Sequence, residues 1–210
     1  SLFAKEMIRP AAHDCDGNAA IPAALLAKAQ ELGLIYYAVP EAFGGMASED
    51  NISTQMLILE DLGYGDLSIT AALYSAVSVA NTLSRWGSAE QQEQYLRALA
   101  SENPPQAALA VTEKTPLFDP NKLSTRAQLK DGHYILDGEK SLVLVAADAE
   151  LFIVAAQTES GVGLFIVEGG TAGLSLTAAP AMGLKAATTH TLSLKQVRIP
   201  ATNRLPASFD

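Results

Sequence analysis

The densest group of side chains able to bind a metal lies at residues 13–16, which read HDCD. Zinc sites usually place two ligands two to four residues apart and draw a second pair from elsewhere in the chain. Residues 13–16 lack that spacing, so we interpret them as the solvated end of a helix and predict no metal site. His133, in a predicted turn, and His190, near the start of a predicted strand, have no partner visible in the sequence.

Acid–base chemistry could come from Glu60 and Asp61, which are adjacent on a predicted helix. Paired carboxylates act as general acids and bases, but an ordinary polar helix face is the alternative interpretation. The sequence contains no GxGxxG, P-loop, GxSxG or CxxC motif. Residue patterns alone therefore predict neither a reaction nor a catalytic residue.

Composition limits the class of protein. The 210 residues are 49% hydrophobic and 18% charged, which favours an ordered chain with a sizeable core. The net charge is −9, and residues 39–70 carry six acids and no base, which argues against nucleic-acid and anionic-membrane partners. The apolar runs are far shorter than the ~20 residues of a membrane helix, so we predict no membrane insertion. The single cysteine, Cys15, suits the cytoplasm or the mitochondrial matrix.

The period of the apolar residues predicts a helical domain over residues 1–105. Pro22 suits the first turn of a helix that Gly33 ends, and residues 67–86 form another helix. Ser88 and Gln91 form a capping box at the start of a later helix. Between Gly33 and the helix at 67–86, a further helix is predicted, capped by Asn51 or Ser53. Its apolar face is predicted to consist of Met56, Leu57, Leu59 and Leu62.

Residues 106–210 are predicted to form a β domain. Turns are predicted at residues 131–133 and 137–138, where Asp-Gly pairs stand between short runs. No long helical pattern separates the runs, so we expect an antiparallel barrel or sandwich and, for the chain, an α+β two-domain fold. The predicted strands are residues 106–111, 151–156, 163–167, 174–178 and 191–199. Both ends of the chain look cut, which predicts a piece of a longer protein.

The order of several segments resembles that of the acyl-CoA dehydrogenase family. Residues 32–45 (LGLIYYAVPEAFGG) are similar to the family's ELGLLGLTVPEEYGG, and residues 85–97 (RWGSAEQQEQYLR) to its FGTEEQKQKYLP helix. Residues 110–113 (AVTE) resemble its CLTEP strand, and residues 131–140 (DGHYILDGEK) its GDxYxLNGxK hairpin. Later segments that fit in the same order are MGLK at 182–185 and VRIP at 197–200.

This resemblance implies a helical domain, a middle β-barrel domain and a C-terminal four-helix domain of ~150 residues that this chain lacks. The implied activity is α,β-desaturation of an acyl-CoA thioester in fatty acid metabolism, with hydride transfer to FAD. The implied partners are an acyl-CoA or related thioester, an electron-transfer flavoprotein and other subunits in a homo- or hetero-oligomer. The family's catalytic base belongs to the C-terminal domain, so no residue here is assigned to it.

The resemblance also implies a flavin site. Val111 and Thr112 fall where the family contacts the flavin pyrimidine ring. Leu142 stands in place of the family's flavin-shielding tryptophan, and Leu144 in place of the threonine that bonds N5. In the loop that approaches the cofactor diphosphate, the family's Gly-Ser pair is replaced by Leu117 and Phe118.

These replacements leave two interpretations of the chain open. In the first, it belongs to an FAD-dependent acyl-CoA dehydrogenase, with Val111, Thr112, Leu142 and Leu144 beside the cofactor. In the second, it is a non-catalytic family member, a structural partner or a thioester-binding subunit, because leucine offers no hydrogen bond at N5. A third has a related enzyme acting on a nitroalkane, an aryl compound or a carrier-bound acyl group. Under the family assignment, we predict that the 210 residues alone are inactive.

Overall fold

The structure, a computed structural model, describes residues 1–48 and 52–206. Its first half is helical and its second half is a curled β-sheet, which confirms the predicted fold class. The predicted domain boundary between residues 105 and 106 falls in the segment between the last helix and the first strand. The helices are α1 (Arg9–Asn18, preceded by a π-helical turn at Ala4–Ile8), α2 (Ala23–Glu31), α3 (Ile52–Gly65), α4 (Leu67–Trp86), α5 (Ala89–Gln91) and α6 (Arg97–Leu99).

Local signals in the sequence set the ends of these helices. Pro22 precedes α2, and Gly33, just past the end of α2, has a left-handed φ of +67°. The Asp66 side chain accepts the Ile69 N–H and caps α4. The predicted capping box is confirmed, because the Ser88 hydroxyl accepts the Gln91 N–H while the Gln91 side chain accepts the Ser88 N–H. A π-helical turn at Gln92–Leu96 joins α5 to α6.

The predicted apolar face of α3 is wrong for half of its residues. Leu62 is buried, but Met56 and Leu57 are 58% and 66% exposed. The buried stripe instead contains Gln55, whose side-chain amide exchanges hydrogen bonds with the Asn81 amide on α4. The buried face of α3 thus includes a polar residue, which a pattern of apolar residues could not reveal. Of the two predicted caps, Asn51 lies outside the described residues and Ser53 lies within α3.

Helix α4 is the core helix of the fold. Among the described helices it is the one long and apolar enough to cross a membrane by length and composition. More than half of that stretch is buried within the protein. Its apolar residues pack against the sheet, and its Ser75 hydroxyl donates to the Ala107 carbonyl of the first strand at 2.9 Å. This packing fixes the position of that strand relative to the helices.

The sheet is mixed, so the prediction of a wholly antiparallel sheet is wrong for two pairs. Its order is β1-β4-β2-β3-β7-β6, with β5 paired antiparallel to β4. Strands β1 and β2 both run parallel to β4. The crossover from β1 to β4 contains the β2–β3 hairpin instead of a helix, so no helical pattern marked it. The described strands are β1 (Ala107–Ala110), β2 (Arg126–Lys130), β3 (His133–Val143), β4 (Leu151–Thr158), β5 (Gly161–Glu168), β6 (Leu174–Ala178) and β7 (His190–Pro200).

The sheet curls into a half-barrel around one apolar cluster, and its other face packs on the helices. Strand β4 alternates between the two sides: Phe152 and Val154 point into the half-barrel, while Ile153 faces the helices. The predicted turn at 131–133 is confirmed as the β2–β3 hairpin. The predicted turn at 137–138 is wrong, because β3 continues through it beside a bulge on β7 at Gln196. The Asp137 carboxylate accepts the Gln196 N–H there and holds the bulge.

Candidate functional site

The ends of β1 and β3 lie side by side, and this contact brings the predicted cofactor residues together. The Ser141 N–H donates to the Thr112 carbonyl, with an N···O distance of 2.8 Å. Val111 and Thr112 follow β1, while Leu142 lies on β3. Thr112 therefore contacts the end of β3 directly, and Val111 and Leu142 are each next in sequence to a residue of this contact.

A buried ion pair lies beside this contact. Lys140 is completely buried, and its Nζ donates to Glu113 Oε1 at 2.7 Å and to the Val111 carbonyl at 3.1 Å. The Glu113 carboxylate also accepts the N–H groups of Ser124 and Thr125, at 2.6 and 2.9 Å. These bonds tie the loop between β1 and β2 to β3. Every charged or polar atom of the pair thus has a partner close by, as a buried ion pair requires.

The environment shifts the pKa values of both partners. Burial alone would raise the pKa of Glu113, but the hydrogen bonds from Lys140, Thr125 and Ser124 outweigh it and hold the pKa at about 2. Burial lowers the pKa of Lys140, and the hydrogen bond and charge of Glu113 oppose that change. We take the pair as ionised at neutral pH, because the geometry satisfies the charged forms of both groups.

Sequence reasoning matched Glu113 and Lys140 to the family but missed that they form a pair. One signal could have revealed the burial of the lysine. Tyr134 and Leu136 are buried on β3, and the period of two places Lys140 on the same face. A lysine at such a position needs a buried acceptor, and Glu113 is the acidic residue that follows β1, whose end lies beside the end of β3.

Strand β3 bulges immediately after Lys140. Lys140 pairs with Leu192 and Val143 with His190, so β3 has one more residue than β7 between these pairs. Leu142, in the bulge, has a left-handed φ of +54° and is 57% exposed. Leu144, the other predicted position, lies in the turn directly after β3 and is half-buried. Neither leucine side chain has a hydrogen-bonding atom, so any polar contact at these two positions must come from the main chain.

Other residues with strained backbones surround this bulge. Val145, Leu184 and Thr188 also have left-handed φ values, between +44° and +56°. The Val145 N–H donates to the Ala187 carbonyl at 2.9 Å, which joins the end of β3 to the segment that carries Leu184 and Thr188. Non-glycine residues rarely adopt this conformation, and such residues cluster at functional sites.

In the loop at 117–118, a leucine adopts a backbone conformation that usually favours glycine. Leu117 has a φ of +53° and its side chain is fully exposed. Phe118, beside it, is half-buried and packs against the cluster between the sheet and the helices. These are the two positions at which the resemblance places glycine and serine.

An apolar cavity of about 440 Å³ reaches the end of β3 from the helices. Its volume is within the range of small-molecule sites. Residues of α2, α4 and the β domain line it, among them Leu26, Leu73, Val77, Val145, Ala186 and Thr188.

The other candidates from the sequence do not assemble into a site. No group of three or more His, Cys, Asp or Glu side chains could hold a metal ion within residues 1–48 and 52–206. Cys15 is buried in α1, so residues 13–16 are not wholly solvated, and Asp16 pairs with Lys185 at 3.4 Å. Glu60 is exposed and the Asp61 side chain is 40% exposed, so both carboxylates lie on an outward-facing part of α3. The Nδ1 atoms of His133 and His190 lie near the carbonyls of Asp131 and Thr188.

Comparison with known proteins places this geometry in a family. Residues 1–103 match the model of the acyl-CoA dehydrogenase N-terminal domain, and residues 108–197 match that of the acyl-CoA dehydrogenase middle domain. The chain is 30% identical to the probable medium-chain specific acyl-CoA dehydrogenase 2, mitochondrial, of Caenorhabditis briggsae. That match covers 97% of this chain and 51% of the relative, so the chain spans about half the length of this relative.

Solved structures agree with the sequence matches. The butyryl-CoA dehydrogenase of Megasphaera elsdenii superimposes with a TM-score of 0.85 at 26% identity, covering 98% of this chain and 56% of that one. A glutaryl-CoA dehydrogenase of Mycobacterium smegmatis in complex with FADH2 gives 0.86 at 25% identity, with 98% and 53% covered. Both domain models match in order, and the helical half and curled sheet superimpose as one unit on these enzymes. The chain therefore belongs to the acyl-CoA dehydrogenase family.

Proposed function

We propose that this chain supplies the helical and β parts of an FAD-dependent acyl-CoA dehydrogenase. The observation that carries the proposal is the contact of Thr112 with Ser141 beside the buried Lys140–Glu113 pair. It holds the residues that would border a flavin in a fixed arrangement, which is what a cofactor site requires. The catalytic base would come from a C-terminal domain, outside the part of the family that this chain spans.

The residues present fit a flavin ring on two sides. The exposed Leu142 side chain offers an apolar surface to the flat face of the ring, and Val111 and Thr112 offer main-chain groups and a hydroxyl to its pyrimidine edge. When bound, FAD would accept the hydride removed from the substrate. Leu144 places no hydroxyl at the position that the resemblance assigns to N5, so polar contacts there would come from the main chain.

The cavity beside Val145 supports an apolar substrate group. It is lined mainly by alanine, leucine, isoleucine and valine side chains, and Val145, the residue after Leu144, is one of them. We propose an acyl-CoA or a related thioester as the substrate, with an electron-transfer flavoprotein as the electron acceptor. We also propose a homo- or hetero-oligomer, located in the cytoplasm or the mitochondrial matrix.

A second candidate function is that of a non-catalytic family member, as a structural partner or a thioester-binding subunit. Leu144, Leu117 and Phe118 favour it, because they remove two hydroxyl groups and a glycine from the positions assigned to the cofactor. A preorganised donor at the place where charge develops is worth about 3 kcal/mol of barrier in enzymes that use one. Its loss would slow hydride transfer even if the flavin still bound.

Flavin content separates the two functions. The full-length protein is purified and examined for flavin absorbance before and after incubation with FAD. The first function predicts a yellow protein that an acyl-CoA bleaches under anaerobic conditions. A colourless protein that cannot be loaded contradicts it, and bleaching by an acyl-CoA contradicts the second function.

If the protein is colourless, a matched variant tests whether Leu142 and Leu144 are what prevents FAD from binding. Leu142→Trp combined with Leu144→Thr restores the side chains that the resemblance expects. If these leucines limit binding, the double variant takes up FAD when the parent does not. The 210 residues alone serve as the negative control, because we expect no flavin reduction by an acyl-CoA without the C-terminal base.

A further inference from the structure

We infer that Lys140 and Glu113 act as positioning residues that clamp and polarise the Val111–Thr112 peptide group against β3. This inference deepens the proposed function, and its flavin part rests on that function. The pair is not required to touch substrate or cofactor. It acts through the main chain of Thr112, which has the ion pair on one side and the Ser141 N–H on the other.

The clamp follows from where the bonds of Lys140 end. Its Nζ bonds the residue before Thr112, through the Val111 carbonyl, and the residue after it, through the Glu113 carboxylate. The Thr112 carbonyl itself accepts the N–H of Ser141, the residue next to Lys140. Three consecutive residues of one segment are thus bonded to two consecutive residues of β3. Such an arrangement leaves the peptide group little freedom to rotate or shift.

The polarisation follows from the charge of Lys140. A cation that donates to a carbonyl draws electron density from the whole peptide group, so the attached N–H becomes a stronger donor. The carbonyl of Val111 and the N–H of Thr112 belong to the same peptide group, and the lysine is completely buried, so water does not screen it. Within residues 1–48 and 52–206, no main-chain carbonyl accepts the Thr112 N–H. That strengthened donor is available to the electron-rich pyrimidine edge of a flavin.

Stability alone is a weaker explanation of the pair. Replacing a buried ion pair with well-packed apolar residues of similar volume is often neutral or stabilising. Here the bonds of Lys140 and Glu113 run to the main chain of three residues, at positions 111, 124 and 125. The first of these, Val111, is a residue of the proposed site.

The experiment replaces the pair without leaving a buried charge. In the full-length protein, Lys140→Met combined with Glu113→Gln keeps both volumes and an acceptor for the Thr125 N–H, but removes the cation. The first readout is amide hydrogen exchange in the flavin-free protein, over peptides that contain residues 107–114 and 139–146. The second is the affinity for FAD and the visible spectrum of the bound flavin. Lys140→Met combined with Glu113→Leu, an apolar pair, receives the same measurements.

We expect the double variant to fold. The amide hydrogens of residues 139–146 should exchange at least about tenfold faster, because local opening of this segment no longer has to break the bonds of Lys140. FAD should bind about tenfold more weakly, as for the loss of one good hydrogen bond, and its spectrum should shift. Lys140→Arg, which keeps the charge, should recover part of the affinity. Unchanged exchange, affinity and spectrum in a folded double variant would overturn the inference.

Two controls make each result decisive. Gln91→Leu removes buried hydrogen bonds to the carbonyls of Thr202 and Arg204, far along the chain from the clamp. It should lower the melting temperature without changing exchange at 139–146 or the flavin spectrum. In the unaltered protein, the Ser141 amide should be among the most protected; exchange there as fast as in exposed loops contradicts the clamp even if no double variant folds. If the parent binds no FAD, the proposed function fails, and the exchange results alone decide the clamp.

Discussion

Two neighbouring positions on β3 reverse the usual distribution of charged and apolar side chains. Lys140 is completely buried, whereas Leu142, two residues later, is more than half exposed. The lysine is stable in the interior because its Nζ has two acceptors, the Val111 carbonyl and the carboxylate of its ion partner Glu113. The leucine is exposed because the bulge turns its backbone into a left-handed conformation. A buried charged residue and an exposed apolar residue thus lie two positions apart at the proposed flavin site.

The comparison shows that the two sides of the site differ in how fixed they are. On the buried side, each contact has a specific donor and acceptor, so a single substitution leaves a charge without its partner. On the exposed side, Leu142 and Leu117 have few contacts to lose and a backbone conformation that suits glycine better. Substitutions on the first side should therefore be costly, and those on the second side should be neutral or stabilising.

The largest effect is expected from Lys140→Met alone. It leaves the Glu113 carboxylate buried without a counter-ion. The free energy of unfolding should therefore fall by about 3–5 kcal/mol. Urea denaturation followed by circular dichroism measures the change. Lys185→Met is the matched control, because its pair with Asp16 is exposed and should contribute less than about 1 kcal/mol. If both substitutions lower the free energy of unfolding equally, the buried pair is no more important to stability than an exposed one, which contradicts this prediction.

The buried side should also make stability depend on pH in the acid range. The pKa of Glu113 is about 2 in the folded chain, against an ordinary value of 4.5. The stabilisation from this difference is on the order of 3 kcal/mol, fully present above about pH 4.5 and lost as the pH falls towards 2. Urea denaturation at several pH values between 2 and 6 measures it. Lys140→Met/Glu113→Gln lacks this carboxylate, so its stability should fall less steeply; identical slopes would contradict the assignment.

A glycine on the buried side tests the packing beside the pair. Gly138 has a φ of +146°, and a Cβ there would lie 2.6 Å from the Thr125 Cα. Gly138→Ala should therefore destabilise the fold by roughly 1–3 kcal/mol, the range for a strained backbone residue. Gly132→Ala is the control: it also has a positive φ but no atom within 4 Å. The difference between their urea midpoints isolates the steric part, and no difference would mean that β3 shifts freely at this point.

Much of the helical fold could be predicted because its signals are local. The capping box at Ser88 and the glycine after α2 depend on residues within one turn of each other. The parallel pairing of β1 with β4 and the bulge at Leu142 depend on residues distant in the chain, which no local pattern encodes. The face of α3 was misassigned because a polar residue, Gln55, occupies a buried position.

The candidate site was predictable only through the resemblance. It placed Val111, Thr112, Leu142 and Leu144 together, and the structure brings the segments that carry them into contact at Thr112 and Ser141. Whether they bind FAD stays a prediction. The left-handed leucines could not be predicted from residue type, because bulky side chains disfavour that conformation. The left-handed conformation of these leucines is set by the path of the chain through the surrounding structure.

The smallest effect is expected on the exposed side, and its sign is opposite. Leu117 is fully exposed at a φ of +53°, so Leu117→Gly loses almost no packing and relieves a left-handed leucine. The relief of ~1–2 kcal/mol exceeds the ~0.5–1 kcal/mol entropic cost of glycine, so we expect a slightly more stable chain. Leu129→Gly, at an exposed β2 residue without a positive φ, should lose stability by about that entropic cost. Urea midpoints that move in the same direction for both variants would show that the backbone at 117 carries no strain.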